Sequence, residues 1–280
     1  MKLGVSYIVF DGTELLEHSI KQIRKHVDFV HVIYQNISWF GKKLPDSDLA
    51  ELKKLERAGL IDRLQLFSGF TPLIDTSNNS ILTAKSYERK KRQAGLDACL
   101  REKCSHFLCM DVDEFYDSIE FANAYETIKT RNLTATSVKF INYVNIPTRH
   151  RGMDSNTVPF ICRINPTCRM DKHFFTRCDP TRGISNTGPK TSFYEFSHSE
   201  IKMHHMETVR KDLRLKYEST TRSIFNRGKT DQLISNIKSV DEATHNFSFE
   251  RIIFPGTPEV KLTTVPNIFN IPYEKWNTQR

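Results

Sequence analysis

Two carboxylates stand two residues apart at the end of an apolar run. His106-Phe107-Leu108-Cys109-Met110 leads into Asp111-Val112-Asp113, and Glu114-Phe115-Tyr116 follows. A strand that ends in acidic side chains presents oxygen ligands on a rigid edge. Magnesium and manganese take such ligands, commonly one or two carboxylates together with the phosphates of a substrate. An ion held there offsets the charge that grows on a diphosphate as its bond to another group breaks. Asp-x-Asp also occurs in solvated acidic turns. Its place after the fourth apolar strand of the chain is what favours chemistry.

The elements that must position this pair alternate. Leu3 to Phe10 reads as a buried strand, and Asp11-Gly12 follows it directly. Glu14 to His26 has helical spacing with Thr13 as N-cap. Strands are predicted over Asp28 to Gln35 and Arg63 to Phe67, with a helix over Asp46 to Ala58 closed by Gly59. Thr71 to Ser80 reads as a polar loop. A long helix runs from about Ser80 to Lys103, then comes the His106 to Met110 strand, a helix over Ser118 to Arg131 and a strand over Ala135 to Ile146. Strands alternating with helices predict an α/β fold with a mostly parallel central sheet flanked by helices. Ligands in such sheets bind outside the carboxyl ends of the strands, so Asp11 and Asp111 should line one crevice. The second half is irregular and loop-rich. Pro147 to Asn165 and Arg169 to Pro189 read as long loops with short strands. Val209 to Thr221 reads as a helix, and Phe254 to Arg280 as an extended tail.

Bulk properties set limits. The chain has 280 residues, 38% hydrophobic and 26% charged, within the range of a globular protein. No stretch reaches the roughly 18 to 20 apolar residues of a membrane span, and Met1 to Phe10 lacks the features of a secretory signal. Both points predict a cytoplasmic protein. The six cysteines form no CxxC pair, so free thiols are expected. Cys162, Cys168, His173 and Cys178 do not match a common metal-ligand spacing. The net charge of +8 suits phosphate-bearing substrates, nucleic acid or peripheral association with an anionic surface. The run Arg89-Lys90-Lys91-Arg92 reads as a solvated helix face.

The sequence from His106 to Tyr116 resembles the DxD motif of GT-A fold glycosyltransferases, especially the bacterial and viral group related to the family-2 type. Lys91-Arg92-Gln93-Ala94-Gly95-Leu96 resembles the basic helix ahead of that motif, and VSYIVFDGTELLEHSI (residues 5–20) resembles the first strand, loop and helix. A downstream block, Ile201-Lys202-Met203-His204-His205-Met206-Glu207-Thr208-Val209-Arg210, is similar to one that completes the metal shell with a histidine. The resemblance implies a GT-A (Rossmann-like) fold and a nucleotide-diphosphate sugar donor, a UDP-sugar first. It also implies Mn²⁺ or Mg²⁺ held by Asp111, Asp113 and His205, with His204 as a neighbour able to take the same role. Asp113 would bind the ion directly, while Asp111 would hold the ribose or reach the ion through water. Asp11 or Glu14 would meet the nucleoside, and Arg92 the donor sugar or diphosphate. Arg210, Lys211, Arg214 and Lys216 lie on or near one predicted helix, and Arg210 and Arg214, spaced four apart, share a face that would either meet the diphosphate or stay solvated.

An inverting transferase also needs a carboxylate to take the acceptor's proton. Asp154, Asp171, Asp179 and Glu195 are candidates, with Glu195 near the expected crevice wall. Lys172, His173, Arg177 and Arg182 lie in loops over the acceptor, which would be a glycan, a lipid-linked sugar or a nucleic acid. The expected organisation is a catalytic domain over 1–225, divided into a donor-binding half (1–117) and an acceptor half with the metal histidine (118–225). A C-terminal helix and tail (226–280) would pack on it. Two other classes compete. A DxD phosphohydrolase usually carries its motif on the first strand and has Thr or Val where this chain has Phe115. A basic nucleic-acid-binding module would not require a divalent ion to bind a nucleotide.

Overall fold

The computed structural model describes residues 1–73, 77–220, 228–248 and 259–277. Its first sheet has the order β3-β2-β1-β4-β8. The strands are β1 (Leu3–Val9), β2 (Phe29–Tyr34), β3 (Arg63–Leu66), β4 (His106–Asp111) and β8 (Cys162–Arg163). The first four run parallel, and β8 pairs antiparallel with β4. Helices α1 (Thr13–Ile23), α2 (Asp46–Arg57) and α3 (Asn78–Arg101) make the crossovers, and α4 (Ser118–Thr130) follows β4. The fold is mixed α/β and Rossmann-like, with a largely parallel central sheet flanked by helices. The strands are apolar along their length because both faces are covered, and Leu3, Val5, Tyr7, Val9, Val30, Val32, Leu108 and Met110 are all fully buried.

A second sheet of order β15-β7-β6-β12-β5 abuts the first. It contains β5 (Glu114–Phe115), β6 (Ala135–Val144), β7 (Ile146–Pro159), β12 (Lys202–His205) and β15 (Thr263–Thr264), and β11 (Phe193–Glu195) pairs with the start of β6. Two-stranded pairs join β9 (Arg169–Asp171) to β10 (Gly183–Ser185), and β13 (Asn246–Phe247) to β14 (Val260–Lys261). Helices α5 (Leu213–Ser219), α6 (Thr230–Lys238) and α7 (Glu274–Asn277) complete the described residues.

Several local expectations are corrected. Thr13 is the first helical residue and does not cap. Gly12 holds the N-cap position with φ 74°, and Thr13 Oγ1 donates to Asp48 Oδ1 at 2.8 Å. The loop expected from Pro147 is instead a 14-residue strand, because β7 pairs antiparallel along β6 almost from end to end. The helix expected from Val209 begins at Leu213, where Asp212 caps it by accepting from the Leu215 N–H at 2.8 Å. Arg210 and Arg214 therefore share no helix face. The basic run on α3 is not one solvated face either, since Lys91 and Arg92 are each only 1% exposed. Thr221, the expected boundary at residues 225 and 226, and parts of the Thr71–Ser80 loop and the Phe254–Arg280 tail lie outside the described residues. Phe269 and Ile271 of that tail are buried against Leu15 and Phe115. The cysteines are free thiols, four of them buried. Among the described residues, no helix is long and apolar enough to cross a membrane.

Candidate active site

The chain reverses direction across the sheet between β1 and β4, since β2 and β3 lie to one side of β1 and β4 to the other. Such a switch point leaves a crevice at the carboxyl ends of the strands. Asp11 follows β1 and Asp111 ends β4. The short link through Val112 and Asp113 carries the chain from β4 into β5, and so from the first sheet into the second. The carboxylate pair therefore sits at the junction of the two sheets. Helix α3 supplies the adjacent cations. It approaches β1 closely at Gly95, where a Cβ would come within 2.2 Å of Ser6 Oγ. That close approach lets Lys91 and Arg92 reach the strand ends.

The result is a cleft of about 600 Å³ lined by residues that include Asp111, Asp113, Asn142, Asp154, Asp179, Arg182, His205 and Lys216. Asp113 is 1% exposed. Its Oδ2 accepts from Arg210 Nη2 at 2.5 Å and from Lys216 Nζ at 3.1 Å, and His205 Nε2 stands 3.7 Å away. Burial opposes the charge of this carboxyl. Lys216, Arg210 and His205 outweigh that burial and hold it well below the usual carboxylate range. Arg210 reaches in across Gly12, where a side chain would collide with it, since a Cβ there would lie 2.0 Å from Nη1. Its Nε donates to the Glu207 carbonyl at 3.2 Å, and its Nη1 lies 3.1 Å from Asp11 Oδ2. That second contact lacks hydrogen-bond alignment, so both atoms remain buried without a hydrogen bond. Lys216 comes from α5.

His205 is oriented by a chain of polar groups. Asn142 Nδ2 donates to Asp154 Oδ2 at 3.2 Å, which turns the amide oxygen Oδ1 toward His205 Nδ1 at 2.9 Å. A carbonyl oxygen only accepts, so Nδ1 carries a proton, and in the neutral ring it is Nε2 that presents a lone pair toward Asp113. A metal-binding histidine is typically fixed in this way. His204 occupies the next position on the strand and turns to the opposite face. It is buried against Phe269 (ring centroids 4.9 Å), its Nδ1 is 2.9 Å from Tyr143 Oη, and desolvation pulls its pKa down to about 3. The alternation of a β-strand thus assigns the two histidines different surroundings.

Asp111 faces a different pair. Its Oδ2 accepts from Arg92 at 3.2 Å and from Arg182, which also donates to Glu114. Arg92 is further held by Glu88 at 2.6 Å. Burial again works against the Asp111 charge, and Arg182 and Arg92 prevail, keeping it ionised far below its ordinary range. Glu114 is pushed the other way, chiefly by burial, although Arg182 opposes the shift. Its Oε2 accepts the Asp111 N–H at 3.0 Å and so closes the turn.

Beside the cleft lies a smaller pocket of about 140 Å³, bounded by Ile8, Phe10, Asp11, Gln35, Trp39 and Lys91 and opening toward Asp111 and Asp113. Lys91 Nζ donates to the Val9 carbonyl at 2.7 Å and to Gln35 Oε1 at 2.9 Å. Desolvation lowers its pKa to about 7.

Of the residues singled out in sequence, Asp11, Asp111, Asp113, Arg92, Arg210 and His205 converge on these two pockets. Glu14 lines neither pocket; its Oε1 accepts the Lys211 N–H at 2.8 Å. Glu195 does not line the cleft. It sits on β11 with Lys139 Nζ 3.6 Å away. Arg214 points outward to Glu218 and Asp231. Asn142 and Glu114 were not singled out as parts of the site, and Arg182, expected over the acceptor, instead clamps Asp111 and Glu114. Asn142 had one signal, a polar residue at a buried position of an apolar strand.

Among the described residues, no group of three His, Cys, Asp or Glu side chains converges to hold a metal. The donor set still fits a hard divalent ion. Such ions often take only one or two protein ligands and complete their shell with water and substrate phosphate. Asp113 Oδ2 and His205 Nε2, 3.7 Å apart, are close enough to bind one ion at bond lengths of about 2.1 Å.

No protein-family model matches the chain, and no curated protein matches it. Among solved structures, Staphylococcus aureus TarS matches at 14% identity with a TM-score of 0.33, over 51% of this chain and 22% of that one. TarS 1-349 in complex with UDP matches at 13% identity (TM-score 0.34, 51% and 36%), and the same fragment with UDP-GlcNAc at 14% (TM-score 0.34, 51% and 35%). The chain thus spans well under two thirds of the proteins it matches. At this level of similarity, neither activity nor ligand passes from them to this chain.

Proposed function

We propose that the chain is a metal-dependent glycosyltransferase that moves a sugar from a nucleotide-diphosphate sugar to a glycan, lipid-linked or nucleic-acid acceptor. The observation that carries this reading is the convergence of Asp113 and His205. They are far apart in sequence, yet they face each other in a cleft that adjoins a smaller pocket of about 140 Å³. Asp113 and His205 would hold Mn²⁺ or Mg²⁺, which would neutralise the departing diphosphate. Seven carboxylates and five Arg or Lys side chains line the cleft, so the added charge of a diphosphate calls for such an ion. Arg210 and Lys216 would turn from Asp113 to phosphate oxygens, and Asp11, whose Oδ2 has no hydrogen bond, would accept from a ribose hydroxyl. Arg92 and Arg182 hold Asp111 ionised and fixed at the cleft wall. Asp154 and Asp179 are the proposed candidates for taking the acceptor's proton, as both line the cleft.

The test is nucleotide-sugar turnover, with a UDP-sugar tried first. Slow hydrolysis without acceptor is expected, dependent on Mn²⁺ and abolished by EDTA and by Asp113→Ala. Full turnover in Asp113→Ala would refute the assignment.

A further inference from the structure

The oxygen that would bind the ion is fully engaged by protein cations. A carboxylate oxygen offers about two lone-pair directions. At Asp113 Oδ2, Arg210 Nη2 takes one at 2.5 Å and Lys216 Nζ takes the other at 3.1 Å. His205 Nε2 faces this same oxygen at 3.7 Å, so an ion shared with His205 binds here. A bond of about 2.1 Å to that oxygen would put the ion within about 5 Å of either cation. Like charges at that range repel strongly in a buried setting. One of the two cations must leave before the ion can enter.

Their tethers decide which one. Arg210 is anchored through its other nitrogens. Nε donates to the Glu207 carbonyl at 3.2 Å, Nη1 lies 3.1 Å from Asp11 Oδ2, and the guanidinium fills the gap left by Gly12. It stays beside Asp11 whichever partner Nη2 takes. Lys216 is held only at its tip, since Asp113 is the sole hydrogen-bond partner of its ammonium among the described residues. Its side chain is 16% exposed and has a flexible four-carbon stem. The backbone beneath it is firm. Leu213 and Tyr217 of α5 are buried in one cluster with Leu233 and Ile237, and Glu218 pairs with Lys42 at 2.7 Å. The side chain can therefore swing while the helix stays in place.

Lys216 borders both the cleft and the smaller pocket, so an ammonium that leaves Asp113 remains within reach of phosphates bound there. We propose that Lys216 gates the metal site: it covers Asp113 until a diphosphate draws its ammonium away, and the ion then takes its place. Whichever ligand arrives first bears the cost of parting Lys216 from Asp113, and the second does not. Ion and nucleotide therefore bind far more tightly together than singly. The proposal rests on the reading of the cleft as a metal and diphosphate site.

The experiment titrates Mn²⁺ by calorimetry into the full chain, alone and saturated with UDP, and subtracts the association of Mn²⁺ with free UDP. In the unaltered chain Mn²⁺ should bind about ten- to a hundredfold more tightly when UDP is present. Lys216→Met keeps the length of the side chain and removes its charge. Mn²⁺ alone should then bind about tenfold more tightly, the worth of one hydrogen bond to a charged group, and the gain from UDP should shrink by the same factor. A merely structural role for Lys216 would weaken Mn²⁺ binding instead. Unchanged or weaker binding of Mn²⁺ alone by Lys216→Met, with Mn²⁺ still bound by the UDP-saturated chain, would overturn the gate and leave the transferase reading intact. Equal Mn²⁺ affinity with and without UDP in the unaltered chain would overturn it too. An unaltered chain that binds no Mn²⁺ under either condition would refute the metal site and the gate together. If Lys216→Met does not fold, Lys216→Gln removes the same charge and should give the same two shifts.

Discussion

Replacing Asp113 by Asn keeps the shape of the side chain and removes its charge. Arg210 and Lys216 lose a shared partner. Breaking a buried ion pair typically costs about 3–5 kcal/mol. Here the cost should fall below that range, at about 2–3 kcal/mol. Arg210 keeps Asp11 at 3.1 Å, and the Lys216 side chain, 16% exposed, can turn into the cleft. With an unfolding entropy of about 2.1 cal/mol/K per residue, a 280-residue chain loses about 3–5 °C in Tm. Ligand linkage then separates structure from function. A nucleotide diphosphate at 100 times its Kd adds about 2.7 kcal/mol, or roughly 4–5 °C, to the unaltered chain with Mn²⁺. Asp113→Asn should lose that metal-dependent gain. It should also bind the nucleotide at least as well as the unaltered chain in EDTA, because two freed cations now face the diphosphate. Glu195→Gln removes a carboxylate outside the cleft and should change neither quantity. A full Mn²⁺-dependent gain in Asp113→Asn would refute the placement of the ion.

Asn142→Leu removes the acceptor that fixes the His205 tautomer, and Mn²⁺ affinity in the presence of nucleotide should fall about 10- to 100-fold. Calorimetric titration checks this, and an unchanged affinity would mean that His205 binds no metal. Arg182→Gln leaves Asp111 and Glu114 facing each other without their shared cation. A loss of about 3–5 kcal/mol is expected in denaturant unfolding at pH 7.5. Desolvation lowers the His31 and His106 pKa values to about 4. Between pH 6.5 and 4 the unfolded chain therefore binds protons that the folded chain refuses. Their contribution is complete above pH 6.5 and declines as pH falls, by about 2 kcal/mol for each histidine at pH 5. Denaturant midpoints at pH 7.5 and pH 5 measure the decline, and His31→Gln should make it smaller.

How much of this was legible in the sequence depended on whether neighbours along the chain or distant segments set each feature. The parallel strands were legible because burial on both faces makes them continuously apolar, as in Leu3 to Val9 and His106 to Met110. The 14-residue β7 was not. Pro147, Arg149, Arg151 and Gly152 give it no strand pattern, and its extension comes from the partner β6. The cleft divides in the same way. Asp111 and Asp113 announce themselves by spacing, whereas their pairing with Arg182 and Arg210 joins residues 71 and 97 positions away. The helix start that displaced Arg210 was in fact written locally, as Asp212 capping Leu215, and a capping signal of that kind outranks the apolar spacing that suggested an earlier start.

The two histidines carry the same lesson further. Adjacent residues on a strand must face opposite sides, so only one of His204 and His205 was ever able to reach the carboxylates. Sequence alone leaves the choice open because it does not say which side of β12 faces the cleft. The neighbours decide it. On one side Tyr143 and Phe269 make a dry setting in which an imidazole stays neutral, and on the other Asn142 and Asp154 make a polar relay that aims Nε2 at Asp113. Moving the metal ligand to position 204 would need a one-residue shift of β12, which would drive the Lys202 side chain into the buried place of Met203. The packing of the second sheet therefore selects His205 as the residue that reaches Asp113.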